Sequence, residues 1–464
     1  MKHITKFVLF VFLLQACNYN AQIKDNSSAI EIDHADSLAA DVKSEMLRSW
    51  NAYNQFAWGH DALKPISKSH QDWYERSLSI SPIDAYSTLK LMKLENEAYE
   101  IENFVTDSLD FNINQFVKVF EVNIRILGGL LSMYELSGNK KILEKAEDFG
   151  KRLMPAFETK TGIPTYWVNL ETGERKGDTV NVAEAGTYLL EMGILSRHTK
   201  DPVYYEAAKK ASSAIFERRS ELGLIGDVID VESGEWVSEV SHICAGVDSY
   251  YEYLIKGYLL FGDKELKKVW EESILAIQKH LKDKHENRLW YKRADMYTGE
   301  WVSSRITLYD AFFPATLVLA GDFAHASQLQ DSWNWLWNKY GLEPMVYDYA
   351  TGESSYPAYD LNPEIIESAY YLYHTTGEKR YFEMVENYWR SIKKYCKTEV
   401  AYTSVKDVRT MEQKDYMPTF FFAETMKYLY LTFTDYKEEF KFDEHIFSTE
   451  AHPFKISDSP EAVH

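Results

Sequence analysis

Val119-Phe-Glu-Val-Asn-Ile-Arg-Ile-Leu-Gly-Gly-Leu-Leu-Ser-Met-Tyr-Glu-Leu-Ser-Gly138-Asn-Lys-Lys-Ile-Leu-Glu-Lys-Ala-Glu-Asp-Phe149 holds two helices of opposite character around one glycine. In the first half, Val119, Phe120, Val122, Ile124, Ile126, Leu127, Leu130, Leu131 and Tyr134 leave no clean polar face. In the second, Ile142, Leu143, Ala146 and Phe149 form one apolar stripe against Lys and Glu. A helix apolar on all sides is buried on all sides, whereas a one-sided helix covers a core. Gly138 suits the left-handed residue that ends a helix. The unit returns in Phe261-Gly262-Asp-Lys-Glu-Leu-Lys-Lys-Val and in Thr376-Gly377-Glu-Lys-Arg-Tyr. Turns of this kind fall near Glu95, Gly138, Asp201, Gly262, Gly321, Gly377 and Asp435, separated by 43, 63, 61, 59, 56 and 58 residues. Seven inner–outer pairs predict an all-α (α/α)7 barrel, with an open solenoid as the alternative.

A second cycle runs at the opposite end. Asn169-Leu-Glu-Thr-Gly-Glu174, Asp230-Val-Glu-Ser-Gly-Glu235, Asp295-Met-Tyr-Thr-Gly-Glu300 and Asp348-Tyr-Ala-Thr-Gly-Glu353 read as β-hairpin turns. Each precedes a carboxylate by 10 to 13 residues: Glu184, Asp248, Asp310 and Glu364. With Glu121 and Glu424, these acids sit at matching depth in the inner helices, within about two turns at 1.5 Å per residue. A closed ring therefore gathers them at one mouth. Two or three are expected to be structural. Glu121 and Arg125 share a helix face, and burying such a pair among apolar residues is costly. Gly128-Gly129 allows another helix to approach closely, at about 1 kcal/mol of helix propensity each.

The charge of -20 argues against nucleic acid or an anionic membrane surface as partner. Lys2, His3 and Lys6, then the apolar run Phe7–Leu14, mark a targeting segment. Leu14-Gln-Ala-Cys17 resembles a bacterial lipobox, so residues 1–17 read as a lipoprotein signal peptide with Cys17 as the lipidation site. Residues 18–36 are expected to be a flexible tether and 37–464 one catalytic domain. The expected location is the bacterial cell envelope, with membrane contact only through the lipid. Cys244 and Cys396 are not expected to pair, and no His/Cys cluster has zinc spacing.

The stretch Phe120–Tyr134 closely resembles the signature of glycoside hydrolase family 47, the inverting α-1,2-mannosidases, and five further stretches match in order. They are Asn181-Val-Ala-Glu184-Ala-Gly with Glu191; Gly246-Val-Asp248-Ser-Tyr-Tyr-Glu252-Tyr-Leu-Ile-Lys; and Leu361-Asn-Pro-Glu364-Ile-Ile-Glu367-Ser. Phe420-Phe-Phe-Ala-Glu424-Thr-Met-Lys-Tyr-Leu-Tyr and Phe447-Ser-Thr449-Glu450-Ala-His-Pro453 complete the set. The resemblance implies an (α/α)7 barrel that removes terminal α-1,2-linked mannose from high-mannose N-glycans or mannan using Ca2+. It implies Glu121 or Asp248 as general acid, Glu364 as base, and Thr449 as calcium ligand. Glu184, Glu191, Glu252, Glu367, Glu424 and Glu450 would hold calcium-bound waters or sugar. Phe420 would lie beneath the ring and Arg125 would touch it. A monomer is expected.

Several positions depart from the family pattern. Gly246 and Asn362 stand where Arg is usual, Ser87 replaces an Asp, and Met345 replaces a Glu after Pro344. Gly-Val-Asp248 and Ala311-Phe-Phe-Pro look more like the branch that marks misfolded glycoproteins for degradation. A mannose-binding lectin on the same barrel is the alternative function. A sugar epimerase is disfavoured, since no His pair sits at matching inner positions. Asp61 is expected to cap or pair, and His242 and His452 to be hydrogen-bonded core or rim groups.

Overall fold

The computed structural model describes residues 31–456. Fourteen helices alternate between an outer and an inner ring in strict chain order. They are α1 Ile32–Phe56, α2 Ile80–Leu91, α3 Glu95–Asp107, α4 Gly128–Ser137, α5 Lys140–Leu153, α6 Leu189–Thr199 and α7 Val203–Glu217. Then come α8 Asp248–Phe261, α9 Lys264–His280, α10 Phe313–Leu319, α11 Phe323–Tyr340, α12 Glu364–Thr376, α13 Lys379–Cys396 and α14 Met426–Thr434. Even-numbered helices form the inner ring; in α2, ten consecutive residues from Ile80 to Leu89 are buried. Odd-numbered helices bury one stripe, as α5 does with Ile142, Ala146, Phe149 and Leu153. The toroid expected from the repeat is the observed architecture.

The seventh pair is assembled differently from the expectation. The turn at Asp435 leads into short 3-10 turns and a hairpin, not an outer helix. The outer partner of α14 is α1, from the other end of the chain. Trp389 and Lys393 of α13 both bond Asp41, at 2.8 and 2.5 Å, and Lys397 bonds Glu45 at 2.5 Å. Thr88 of α2 donates to Ala423 at 3.1 Å, so α2 and the approach to α14 seal the inner ring. The proposed tether boundary at residue 36 also moves. Helix α1 starts at Ile32 because its buried stripe begins with Ala35, Ala39, Val42 and Met46. Cys17 and the signal segment lie outside the described residues.

At the mouth, each strand that enters an inner helix pairs with the next repeat's hairpin. Phe116–Lys118 joins Trp167–Asn169, Thr179–Asn181 joins Val228–Asp230, and Arg305–Thr307 joins Val346–Asp348. These links tie repeat to repeat around the rim. The four Gly turns have positive φ, from 71 to 76°, as the sequence pattern requires. A fifth copy, Asp407-Val-Arg-Thr-Met411-Glu412, places Met411 at φ 60 where the others have glycine.

The opposite end is plugged. Strands His445–Phe447 and Pro453–Lys455 form a hairpin whose tip, Ser448–His452, reaches into the barrel. Ala451 at that tip has φ 53, a left-handed conformation that only a tightly held residue keeps. Both described cysteines, Cys244 and Cys396, are buried and free.

Candidate active site

Two departures from regular helix shape the site. The segment Val119–Val122 enters α4 through a π-helical turn, Asn123–Leu127, and α14 begins with another, Phe421–Thr425. A π turn shifts side chains around the axis relative to an α-helix, a device common where function needs an irregular display. Arg125 and Glu424 sit on these two turns. Ahead of α6 the backbone breaks at Thr187, whose carbonyl accepts from Asn123 Nδ2 at 3.2 Å. That break sets the aim of Glu184 above it and Glu191 below it.

The site residues fall into two tiers. Glu121, Glu184, Asp248, Glu364, Phe420 and Thr449 keep part of their surface open to the cavity. Glu191, Glu252, Glu367, Glu424 and Glu450 are buried beneath them. In the upper tier Glu121 pairs with Arg125 at 3.1 Å and remains 27% exposed. Arg125 also meets Glu450 and lies 3.8 Å from Asp84, with its guanidinium between the rings of Trp73 (5.2 Å) and Phe420 (5.7 Å). Its donors are therefore committed to carboxylates, and its first task is to hold Glu121 and Glu450. Glu184 closes a capping box with Asn181, and Asp310 closes one with Thr307. Both acids thus fix the start of their helical segments, while Glu184 keeps part of its surface open.

Enclosure dominates the electrostatics. Burial pushes Asp248 up to about 7, helped by repulsion from Asp310. Burial likewise lifts Glu364 to about 8, against the hydrogen bond from Asn362, with Glu367 and Asp248 adding repulsion. Tyr309 feels the charges of Glu364, Asp360, Asp248 and Glu121 together, so residues far apart in sequence share one cavity. In the lower tier Glu191 accepts from Tyr253 at 2.6 Å and Asn123 at 3.1 Å, yet burial still raises it to about 8. Glu367 accepts from Tyr428 at 3.1 Å and shares Lys256 with Glu252. The tyrosine that holds Glu191 also accepts the Thr449 amide at 3.2 Å, linking the plug to the acid floor. Lys427 anchors the plug from the other side, donating to the Ala451 carbonyl and to Ser87 at 2.9 Å. Burial pushes this lysine down to about 7.

A family model, described as Glycosyl hydrolase family 47, matches residues 45–456. The chain belongs to that family. As a family 47 enzyme it is 34% identical to Alpha-mannosidase I MNS5 of Arabidopsis thaliana, over 97% of this chain and 82% of that protein. It is 34% identical to ER degradation-enhancing alpha-mannosidase-like protein 2 of Mus musculus, over 91% of this chain and 78% of the relative. The solved alpha-1,2-mannosidase from Trichoderma reesei superposes with a TM-score of 0.84 at 29% identity, covering 91% of this chain and 99% of that one. The family 47 chain is a glycoside hydrolase.

The structure also holds acids that the motifs did not single out. Glu343 is fully buried, both its oxygens lack a hydrogen-bond partner among the described residues, and it faces Glu364 and Asp310. It stands two residues before Met345, so the acid that the sequence seemed to lack has a counterpart on the same segment. Asp84 is buried, its oxygens without a hydrogen-bond partner among the described residues, 3.5 Å from His452 and 3.8 Å from Arg125. Asn362 is buried and reaches Glu364 at 3.4 Å, so it contacts that carboxyl instead of projecting into the mouth. Gly246 has φ 93, and a Cβ there would touch the Asn181 side chain at 3.5 Å. Asp61 does pair, taking the amides of Trp73, Leu78 and Ile80 and the Ser77 hydroxyl. His242 is a core group, bonded to Asp227 and the Cys244 amide.

Proposed function

We propose that this enzyme removes terminal α-1,2-linked mannose with inversion from high-mannose N-glycans or mannan, in a calcium-dependent reaction. The observation that carries the reading is a pair of cavity-facing carboxyls, Asp248 and Glu364, on different inner helices, each with its proton affinity raised by enclosure. Inversion requires an acid at the leaving oxygen and a base on the opposite face, with water between. Helices α8 and α12 can bracket a sugar in that way; neighbours on one helix cannot. Glu364 is the base in this reading, which requires the positive charge of a bound ion to bring its raised carboxyl back into the ionised form. Asp248 keeps its proton to about pH 7, as a general acid must. Glu121, tied to Arg125, is the second donor in reach of the cavity. Phe420 offers an apolar ring face to the sugar.

The residues present fit a calcium ion. Six buried carboxyls (Asp84, Glu191, Glu252, Glu367, Glu424 and Glu450) face three buried cations (Arg125, Lys256 and Lys427) in the barrel interior. That excess of carboxyl oxygens suits a hard cation, which would favour their ionised forms. Thr449, through its hydroxyl and carbonyl oxygens, would hold it, and the surrounding acids would hold its waters. When bound, the ion would orient the sugar through its hydroxyls. The Arabidopsis, mouse and Trichoderma proteins, all named as mannosidases or mannosidase-like, support the substrate class.

Proton NMR of the first turnovers on a defined nine-mannose glycan tests the proposal. β-Mannose as first product supports inversion; α-mannose refutes it. Glu364→Gln should abolish turnover while keeping mannoside affinity, whereas a lectin would have no turnover to lose. α-Mannosyl fluoride needs no proton at its leaving group, so of Glu121→Gln and Asp248→Asn, the true acid's variant keeps activity on it. For the N-terminus we propose acylation at Cys17 and display at the cell envelope. Labelled palmitate should enter the protein and be lost in Cys17→Ser.

A further inference from the structure

The hairpin nearest the N-terminus carries a cluster that the mannosidase reading does not use. Strands Ala62–Lys64 and Ser69–Gln71 pair antiparallel, with Leu63 opposite His70. His60 and Asp72 flank the two strands, and His70 and Asp72, two residues apart, point to the same side. The rings of His60 and His70 stack with centroids 3.4 Å apart and planes at 10°. His60 Nδ1 lies 2.9 Å from Asp72 Oδ2. One ligand atom from each residue can be chosen so that all three lie within 4.8 Å of one another. The sequence concealed this group, because its spacing is that of a hairpin and not of a zinc motif.

The geometry points to a transition-metal site formed by His60, His70 and Asp72, of the kind that takes Zn2+ or Co2+ with water completing the shell. Imidazole nitrogens with one carboxylate are the donors such borderline ions prefer, and calcium is not. A tetrahedron with bonds near 2.0–2.1 Å has edges of about 3.3 Å, so small side-chain rotations bring the three atoms onto one ion. Neither ring nitrogen of His70 has a hydrogen-bond partner among the described residues, and His70 is exposed. The other two ligands are braced from behind. The Asp61 amide donates to Asp72 Oδ1 at 3.0 Å, and the His60 carbonyl accepts from Tyr53 at 2.6 Å. Such outer contacts orient metal ligands. The residue after Asp72 is Trp73, whose amide bonds Asp61 at 2.9 Å and whose ring covers Arg125. A metal here fastens the loop that roofs that arginine.

The experiment is calorimetric titration of the full chain with Zn2+ in excess Ca2+, repeated with Co2+ while recording the visible absorption. One ion per chain is expected, with a Co2+ spectrum of a four- or five-coordinate nitrogen-containing site. His70→Ala and Asp72→Asn should weaken binding at least tenfold. Thr449→Ala, altered only at the interior plug, should bind Zn2+ as the unaltered protein does. Because His70 is an exposed hairpin residue, its variant should fold and retain mannosidase activity, so loss of metal is readable apart from loss of structure. Equal Zn2+ uptake by His70→Ala and the unaltered chain, or no stoichiometric uptake by either, overturns the site.

Discussion

With calcium bound as proposed, its removal should make this protein's stability fall with rising pH, and its return should cancel most of that fall. The reasoning starts from Asp248, held near 7, and Glu191 and Glu364, held near 8, against ordinary values of 3.8 and 4.5. Since these folded-state values are raised, the native chain holds protons that the unfolded chain has already released. Their contribution is intact below about pH 4 and is lost progressively as pH climbs toward 8. One such group costs about 1.4 kcal/mol per pH unit. The unfolded chain has lost these protons by pH 5.5 while the native chain keeps two to three of them up to pH 7.5, so a slope of about 2.5–4 kcal/mol per unit is expected. Between pH 5.5 and 7.5 that amounts to about 7 kcal/mol, or roughly 7 °C in the thermal midpoint of a chain this size. A bound divalent cation favours the ionised forms and flattens the slope. The measurement is a pair of melting curves at each pH, one with calcium and one with chelator, because groups outside the site cancel in their difference. That difference should widen with pH. A gap that stays constant, or a metal-free midpoint that rises with pH, would show that the buried acids are not what the cation neutralises.

Gly129→Ala should destabilise the barrel, because a Cβ there would lie 2.5 Å from Ile83 Cγ2 and 3.1 Å from the Ile83 carbonyl oxygen. Overpacking of about 1–3 kcal/mol outweighs the roughly 1 kcal/mol gain in helix propensity, and denaturant unfolding should show the net loss. Met411→Gly should raise the melting midpoint by about 1 °C, since it removes a left-handed strain of roughly 1 kcal/mol and glycine's added chain entropy takes back part; a lower midpoint would mean that Met411 packing outweighs strain. For His374, burial opposes the charge, but bonds to Asp435 and Asp443 outweigh it and raise the imidazole to about 9. That stabilisation is present below pH 6.5 and lost as pH passes 9, so His374→Gln should cost up to about 3 kcal/mol at pH 6 and little at pH 9.5.

The inner and outer rings were legible because apolar patterning is a local property: Val119–Tyr134 has no polar face, and Ile142–Phe149 has one. The Gly turns were legible because φ near 70° is a demand on a single residue. The hairpin at Met411 escaped for the converse reason, as it meets that demand without glycine. The outer partner of α14 was misassigned because adjacency in sequence stood in for adjacency in space, and only closure of the ring reveals α1. The π turns under Arg125 and Glu424 leave the apolar pattern unchanged, so no residue announces them. The cavity-facing acids came from colinear motifs. Glu343 did not, because one carboxyl in an apolar run gives no sign of what it will face. His60, His70 and Asp72 become neighbours only through the register of Leu63 with His70.

That the last outer position is filled by the first helix has a cost during synthesis. The buried stripe of α1, including Trp50 and Tyr53, finds its partner helix, Met426–Thr434, some hundreds of residues later. At 5–20 residues per second a ribosome takes about 20–80 s to reach that point. For that interval an apolar helix waits without its cover. A chaperone that shields the nascent N-terminus, or export in an unfolded state, is thus a condition for yield, and expression should suffer most where neither is supplied.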